Sequence, residues 1–337
     1  QATGLYSEQS LISYPRTRLV VTGDVKLQSL WDGITRNKQA IQAFALVRIF
    51  ILENQISEES CMRIEKTQYR GWQNCYRLSN DLVDLIVTAD VGPRIIRFGF
   101  LGEPNQFKEF ESEVGKTGGE EWRSYGGHRL WHAPEAMPRS YAPDNFPVEI
   151  KLGDGWLHAI QPVEAQTGIQ KEMEIFLDEA AAHVTVLHRL RNLGVWSVEL
   201  AVWCLTVMEP GGAAIVPLPP RGAHPENLLP TSILALWAYT DLTDPRLIWG
   251  RQHLLVRQDP DIPKPFKIGA SVPDGWVAYA RADNLFLKKF EYQPDMIYPD
   301  MGCSFESWTN HEMLELETLS PLVYLDPGAE VEHTEDW

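Results

Sequence analysis

His311-Glu312-Met313-Leu314-Glu315-Leu316-Glu317-Thr318-Leu319-Ser320-Pro321 alternates leucine with glutamate through its middle and ends on a proline. Successive side chains of a strand point to opposite faces. As a strand, this segment puts Glu315 and Glu317 on one face and Leu314 and Leu316 on the other. Two neighbouring carboxylates make either a solvated sheet face or a pair suited to proton transfer or to accepting sugar hydroxyls. In the second case each raises the other's pKa.

The same period of two recurs outward from this stretch. Runs that alternate, or are rich in Val, Ile, Phe, Tyr and Trp, include Val83–Thr88, Arg94–Phe100, Gln170–Leu177, Val184–Leu190, Val198–Met208, Trp276–Ala280, Leu285–Tyr292, Cys303–Trp308 and Val331–Glu335. Turn signals separate them: Gly92-Pro93, Gly153-Asp154-Gly155, Glu209-Pro210-Gly211-Gly212 and Asp326-Pro327-Gly328. Helical periodicity is scarce after Met62, and β-α-β alternation is absent, which argues against a parallel doubly wound sheet. So many strands, one as long as Val198–Met208, predict an all-β fold of large antiparallel sheets, a sandwich or a barrel.

Residues 1–61 read differently. Periodicity is weak there, and a short helix over Asn37–Asn54 is the one element expected. This segment reads as a loosely structured extension or leader, with the β domain covering 62–337. The apolar run Ala40–Leu52 is too short to span a bilayer, which takes about 20 apolar residues, and Arg48 interrupts it. No membrane segment is expected.

The densest polar stretch is Tyr125-Gly126-Gly127-His128-Arg129-Leu130-Trp131-His132-Ala133-Pro134-Glu135. Two glycines allow a sharp turn or a close backbone approach, and proline closes the segment. It reads as a loop. Either it grips a polyhydroxylated ligand, or Trp131 plugs the core and the charges are solvated. His128 and His132 have the spacing of helical metal ligands, but Gly and Pro argue against a helix, so no metal site is expected. Lys267, Trp276, Lys288 and Asp300 each place a polar or aromatic group where it could line a cleft. His188 is expected to be a satisfied core histidine, and Glu172 and Glu174 a solvated pair.

The formal charge of −16 argues against a nucleic-acid partner and suits a neutral ligand. Twelve tryptophans offer surfaces that pack on sugar rings. Cys61, Cys75, Cys204 and Cys303 form no C-x-x-C pair; nothing requires an oxidising compartment, and a cytoplasmic location is expected. There is no G-x-S-x-G elbow, P-loop or G-x-G-x-x-G, and no cofactor is expected.

From Met62 to Trp337 the chain resembles the galactose mutarotase-like superfamily, the aldose 1-epimerases and their relatives, and a bacterial branch of it in particular. Leu316-Glu317-Thr318, followed by Leu325-Asp326-Pro327-Gly328 and an acidic-aromatic terminal strand, is similar to the mutarotase ending. Gly92-Pro93-Arg94-Ile95-Ile96, Gly126–Trp131, Lys267-Ile268-Gly269 with Gly275-Trp276, and Tyr298-Pro299-Asp300 add to the resemblance. It implies a large antiparallel β-sandwich, the supersandwich, with a sugar-binding cleft across one sheet. It implies Glu317 as the base that opens and recloses a pyranose ring, and His128 as an inverted counterpart of a loop histidine. It also implies an acid histidine in a strand that corresponds to Val202–Met208, where this chain has none.

Either His128 or His132 then protonates the ring oxygen, or the chain binds a sugar without interconverting it. Arg94, Arg129 and Trp131 would position the ligand. The enzyme reading carries a spatial expectation: His128 or His132 lies near Glu317 on one concave sheet face.

Overall fold

The structure, a computed structural model, describes residues 62–337. Residues 1–61, with the helix expected over Asn37–Asn54, lie outside the described residues.

Strands form nearly all the regular structure. They run β1 (Arg63–Tyr69), β2 (Trp72–Ser79), β3 (Val83–Thr88), β4 (Arg94–Phe100), β5 (His128–Ala133), β6 (Glu149–Gly153), β7 (Trp156–Ile160), β8 (Ile169–Leu177), β9 (Val184–Asn192), β10 (Val198–Met208) and β11 (Ala213–Pro217). The series continues with β12 (Leu234–Leu236), β13 (Leu247–Trp249), β14 (His253–Arg257), β15 (Phe266–Ala270), β16 (Trp276–Arg281), β17 (Asn284–Phe290), β18 (Phe305–Thr309), β19 (Leu314–Leu319), β20 (Val323–Leu325) and β21 (Glu330–Asp336).

They form two antiparallel sheets packed face to face. The first has eleven strands in the order β1-β2-β3-β4-β5-β10-β19-β18-β15-β12, with β20 added against the start of β10. The second has ten, in the order β13-β14-β11-β16-β17-β21-β9-β8-β7-β6. The expected all-β sandwich is the fold observed.

Alternation explains the core. Leu85, Ile95, Leu130, Val202, Leu314 and Leu316 point inward from the first sheet. They meet Met173, Val186, Leu190, Val216, Val256 and Phe286 of the second. Cys75, Cys204 and Cys303 are buried free thiols. On the outer face of the second sheet, Arg189 ties Glu172, Glu174 and Glu332 into an ion-pair network. Glu174 is partly exposed as expected, but Glu172 is buried beneath Arg189, Arg191 and His158, so the pair is not the solvated one expected.

One polar system crosses the interior. His188 Nδ1–H donates to the His333 carbonyl at 2.9 Å, so His188 Nε2 accepts from His128 Nε2–H at 2.7 Å. His128 Nδ1 then accepts from the Thr206 hydroxyl at 2.9 Å, and Lys288 Nζ donates to that hydroxyl's oxygen at 3.0 Å. Lys288 also meets Glu335 at 2.7 Å. Glu335 accepts from the Thr318 hydroxyl and, at 2.9 Å, from Trp337 Nε1–H, and His333 Nε2–H donates to Thr318 Oγ1 at 3.2 Å. Every proton has a place with the three imidazoles neutral. His188 is thus a satisfied core histidine, and His128 belongs to the same network.

Burial holds His128, His188 and His333 below the ordinary histidine range, His333 at about 3. Burial alone would raise Glu335, but Lys288 and the imidazoles outweigh it and hold its carboxyl far below the usual range. At these three imidazoles the unfolded chain therefore binds more protons than the native one from about pH 6.5 downward, against an opposite contribution from buried carboxyls whose pKa is raised. The imidazoles' contribution to stability should fall on acidification through that window, by about 1.4 kcal/mol per pH unit for each histidine that stays neutral. Urea unfolding of the wild type and of His188→Gln at pH 7.5, 6.0 and 5.0 measures it; the same pH dependence in both would contradict a neutral His188. Lys288→Met should cost about 3–5 kcal/mol, because it strands the buried Glu335 carboxylate.

Candidate functional site

The stretch expected as a loop is, from His128 to Ala133, the strand β5. The glycines do what their conformation allows. Gly126 and Gly127 have φ of +93° and +72°. A Cβ on them would lie 1.9 Å from the Lys108 carbonyl oxygen and 2.4 Å from that of Ile95. They let the chain enter the sheet tight against β4, and β5 then alternates. His128, Leu130 and His132 point into the sandwich; Arg129, Trp131 and Ala133 point to the outer face of the first sheet.

Glu317 lies on that outer face. It pairs across β10 with Leu205, which in turn pairs with Arg129. The expectation that His128 or His132 meets Glu317 is therefore wrong: one thickness of sheet separates them. His128 belongs to the interior network, and His132 sits 3.5 Å from Glu164, which pairs with Lys171 at 2.5 Å.

Two other expected residues are placed elsewhere, and a third is taken up by the turn into β5. Lys288 points inward from β17, onto Glu335 and Thr206. Trp276 lies on the outer face of the second sheet, beside His253 and among Ile215, Leu255 and Ala278. Arg94 shares the face of Arg129, but both its terminal nitrogens are occupied and only Nε lacks a partner. The guanidinium donates to the Ser124 and Gly126 carbonyls at 2.8 and 2.6 Å and pairs with Asp144 at 2.7 Å, which fixes the turn that feeds β5.

Arg129, Trp131, Lys267, Glu315 and Glu317 do come together. Arg129 Nη2 donates to Glu315 Oε1 at 2.8 Å, and its guanidinium lies 4.8 Å from the Trp131 ring centre. Lys267 Nζ donates to Glu317 Oε2 at 3.0 Å and lies 2.7 Å from Glu306 Oε2 as an ion pair. Trp203 Nε1–H donates to the same Glu317 oxygen at 3.0 Å. The Lys267 ammonium rests over the Trp203 and Trp237 rings at 4.9 and 4.7 Å. Trp131 packs on Trp203, Trp122 and Tyr141, and Tyr141 donates to Glu135. Asp300, in the turn before β18, is near enough for its charge to act on Glu306.

Sequence reasoning missed Trp203, Glu306, Trp237 and Trp122. Glu306 was legible in kind: on the expected strand Cys303–Trp308 it opposes Phe305, so it had to leave the core face. That it lies across from Glu317 is a matter of register between β18 and β19.

The cluster is dry, with Glu317 only 1% exposed and Arg129 3%. Yet Glu317 Oε1, Arg129 Nε and Nη1, and Glu306 Oε1 are buried without a hydrogen-bond partner in the protein. A buried polar atom left unpaired costs about 1–3 kcal/mol, more if charged. Burial raises the pKa of Glu317 against the pull of Lys267, and burial raises that of Glu306 well above the carboxylate range. Burial would lower Lys267, but Glu317 and Glu306 outweigh it and hold the ammonium charged.

Among the described residues, His128, His188 and Glu335, and Cys204, His333 and Glu335, bring ligating atoms within 4.8 Å of one another. The Lys288 ammonium already stands on Glu335, and the imidazole nitrogens are committed to hydrogen bonds. That arrangement suits fixed positive charge, not a metal ion.

No protein-family model and no curated protein matches the sequence. Solved structures do match the fold. The Slr1438 protein from Synechocystis sp. PCC 6803 is 13% identical with a TM-score of 0.51, over 81% of this chain and 97% of that one. A galactose mutarotase-like protein from Lactobacillus casei is 8% identical with a TM-score of 0.51, over 78% of this chain and 98% of that one. The chain has the galactose mutarotase-like fold, as its C-terminal motifs led one to expect. Among the described residues no helix is long and apolar enough to cross a membrane.

Lys267→Met should destabilise the chain by about 3–5 kcal/mol near neutrality, since it leaves the buried Glu317 and Glu306 carboxyls, at least one of them ionised, without their cation. Those carboxyls hold protons to higher pH when folded than when unfolded. The penalty should therefore shrink as the pH falls toward 5, and denaturant unfolding at pH 8 and pH 5 measures the difference. Equal penalties at both would contradict a shared ammonium.

Proposed function

We propose that this chain binds a small sugar or sugar derivative on the outer face of its first sheet, with Glu317 as the base for interconversion of the anomers. The observation that carries this reading is the division of labour within one carboxylate. Glu317 Oε2 takes both the Lys267 and Trp203 donors, while Oε1 is buried and unpartnered. Asp144 Oδ1 is buried and unpartnered too, but Glu317 differs in lying close enough to Arg129, whose Nε and Nη1 are also unpartnered, for the two charges to interact.

The surroundings support a polyhydroxylated ligand. Arg129 has two unused donor positions, and Trp237 and Trp122, the partly exposed indoles of the cluster, have rings for the apolar face of a sugar. The galactose mutarotase-like fold of the Lactobacillus casei protein supports the same reading. The raised pKa of Glu317 suits proton transfer near neutrality.

A second reading, a carbohydrate-binding module without catalysis, is favoured by one observation. Opposite Glu317, β10 contributes Leu205 and Trp203 and no imidazole. A saccharide array followed by NMR exchange spectroscopy separates the two. On the first reading the wild-type chain accelerates α/β exchange of a sugar that it binds. Glu317→Gln should then reduce exchange to the uncatalysed rate while affinity, read by tryptophan fluorescence, changes only a few-fold. Saturable binding with no acceleration by wild type would establish the module. Undiminished exchange in Glu317→Gln would remove Glu317 from its role.

A further inference from the structure

We propose that Glu306 is the proton donor of this site, so that Glu317 and Glu306 act as base and acid on either side of Lys267. The inference rests on the sugar-binding reading and gives the missing acid a residue.

The geometry comes first. Glu306 and Glu317 are directly paired residues of the antiparallel strands β18 and β19 and project from the same face. Such pairs hold their Cβ atoms about 4.5–5.5 Å apart. One ammonium serves both carboxyls, at 2.7 Å from Glu306 and 3.0 Å from Glu317. The third carboxylate of the face, Glu315, has its own cation in Arg129. Three carboxyls therefore face two cations in a site from which water is largely excluded. The excess negative charge is relieved most cheaply by one proton held between Glu306 and Glu317.

Hydrogen bonding decides which carboxyl holds it. Glu317 Oε2 accepts from both Lys267 and Trp203, which favours its ionised form. Glu306 receives no aligned hydrogen bond, and both its oxygens are buried. The other groups that face Glu306 are Asp300, from the turn before its strand, and the Cys303 thiol, both close enough to interact electrostatically. Asp300 adds negative charge, which favours the protonated form of Glu306 further. The proton thus stays on Glu306, and burial as the leading cause agrees.

The step balances. Glu317 takes the proton of the anomeric hydroxyl, and that O–H electron pair becomes the second bond of the C1 carbonyl. The C1–O5 bond breaks, its pair passes to O5, and O5 takes the proton of Glu306. Rotation about the C1–C2 bond and the reverse sequence close the ring on the other face and return both protons.

The test uses the full chain, Glu306→Gln, Glu306→Asp and Glu317→Gln, with D-glucose and D-galactose as pure α anomers. Two readouts are taken: carboxyl infrared difference spectra at pH 7, and NMR exchange across pH 5 to 9. The expected result is a protonated-carboxyl band in wild type that Glu306→Gln removes. Exchange should fall about 10²- to 10⁴-fold in Glu306→Gln with sugar affinity within a few-fold, and Glu306→Asp should recover part of it with a shifted pH profile. Wild-type exchange in Glu306→Gln overturns the proposal, while a loss confined to Glu317→Gln leaves the sugar reading standing. The donor role also fails if wild type lacks the band, or carries it and binds sugar without exchange. Failure of wild type to bind any saccharide overturns the sugar reading and the donor role with it.

Discussion

Strands β5, β10 and β19 lie side by side in the middle of the first sheet, and almost all of their side chains are buried on both faces. A strand of this kind cannot leave its polar residues to water. Each must find a partner on whichever face the period of two assigns it. A shift of one residue along β5 would carry His128 and His132 to the outer face and Arg129 and Trp131 into the core, stranding charge on both sides. The register of these three strands therefore holds the interior network and the outer site in place together.

The two polar systems, one sheet thickness apart, differ in completeness. In the interior, His128, His188, His333, Thr206, Thr318, Lys288 and Glu335 place every proton. A closed network of that sort holds two sheets in one alignment and offers nothing to a ligand. On the outer face Glu317, Arg129 and Glu306 keep unpaired atoms around Lys267, whose ammonium rests over the Trp203 and Trp237 rings. Low dielectric strengthens whatever those atoms engage. Histidine, the residue most readily suspected of catalysis, here serves the structure; glutamate, lysine and tryptophan are the groups left with chemistry to do.

Much of this is legible in the amino-acid sequence. The alternation of Leu314–Glu317 places the two carboxylates on one face, and the C-terminal motifs indicate the fold. The misplacement of His128 and His132 comes from weighing Gly126, Gly127 and Pro134 as loop signals across the whole segment. The glycines govern only the entry to β5. The six residues between them and the proline, His128-Arg129-Leu130-Trp131-His132-Ala133, do not alternate polar with apolar, because β5 is buried on both faces. Lys288 and Trp276 failed for another reason. Sequence gives each strand's two faces but not which sheet it joins, and both residues sit in the second sheet. The pairing of Glu306 with Glu317 and of Leu205 with Arg129 depends on inter-strand register, which local patterning does not contain.

A crystal structure of the chain with a bound monosaccharide tests the central claim most directly. The anomeric hydroxyl is expected within hydrogen-bonding distance of Glu317 Oε1, with the ring's apolar face against the Trp237 or Trp122 indole. A sugar held elsewhere, with an ordered water satisfying Glu317 Oε1 in its presence, would contradict that claim.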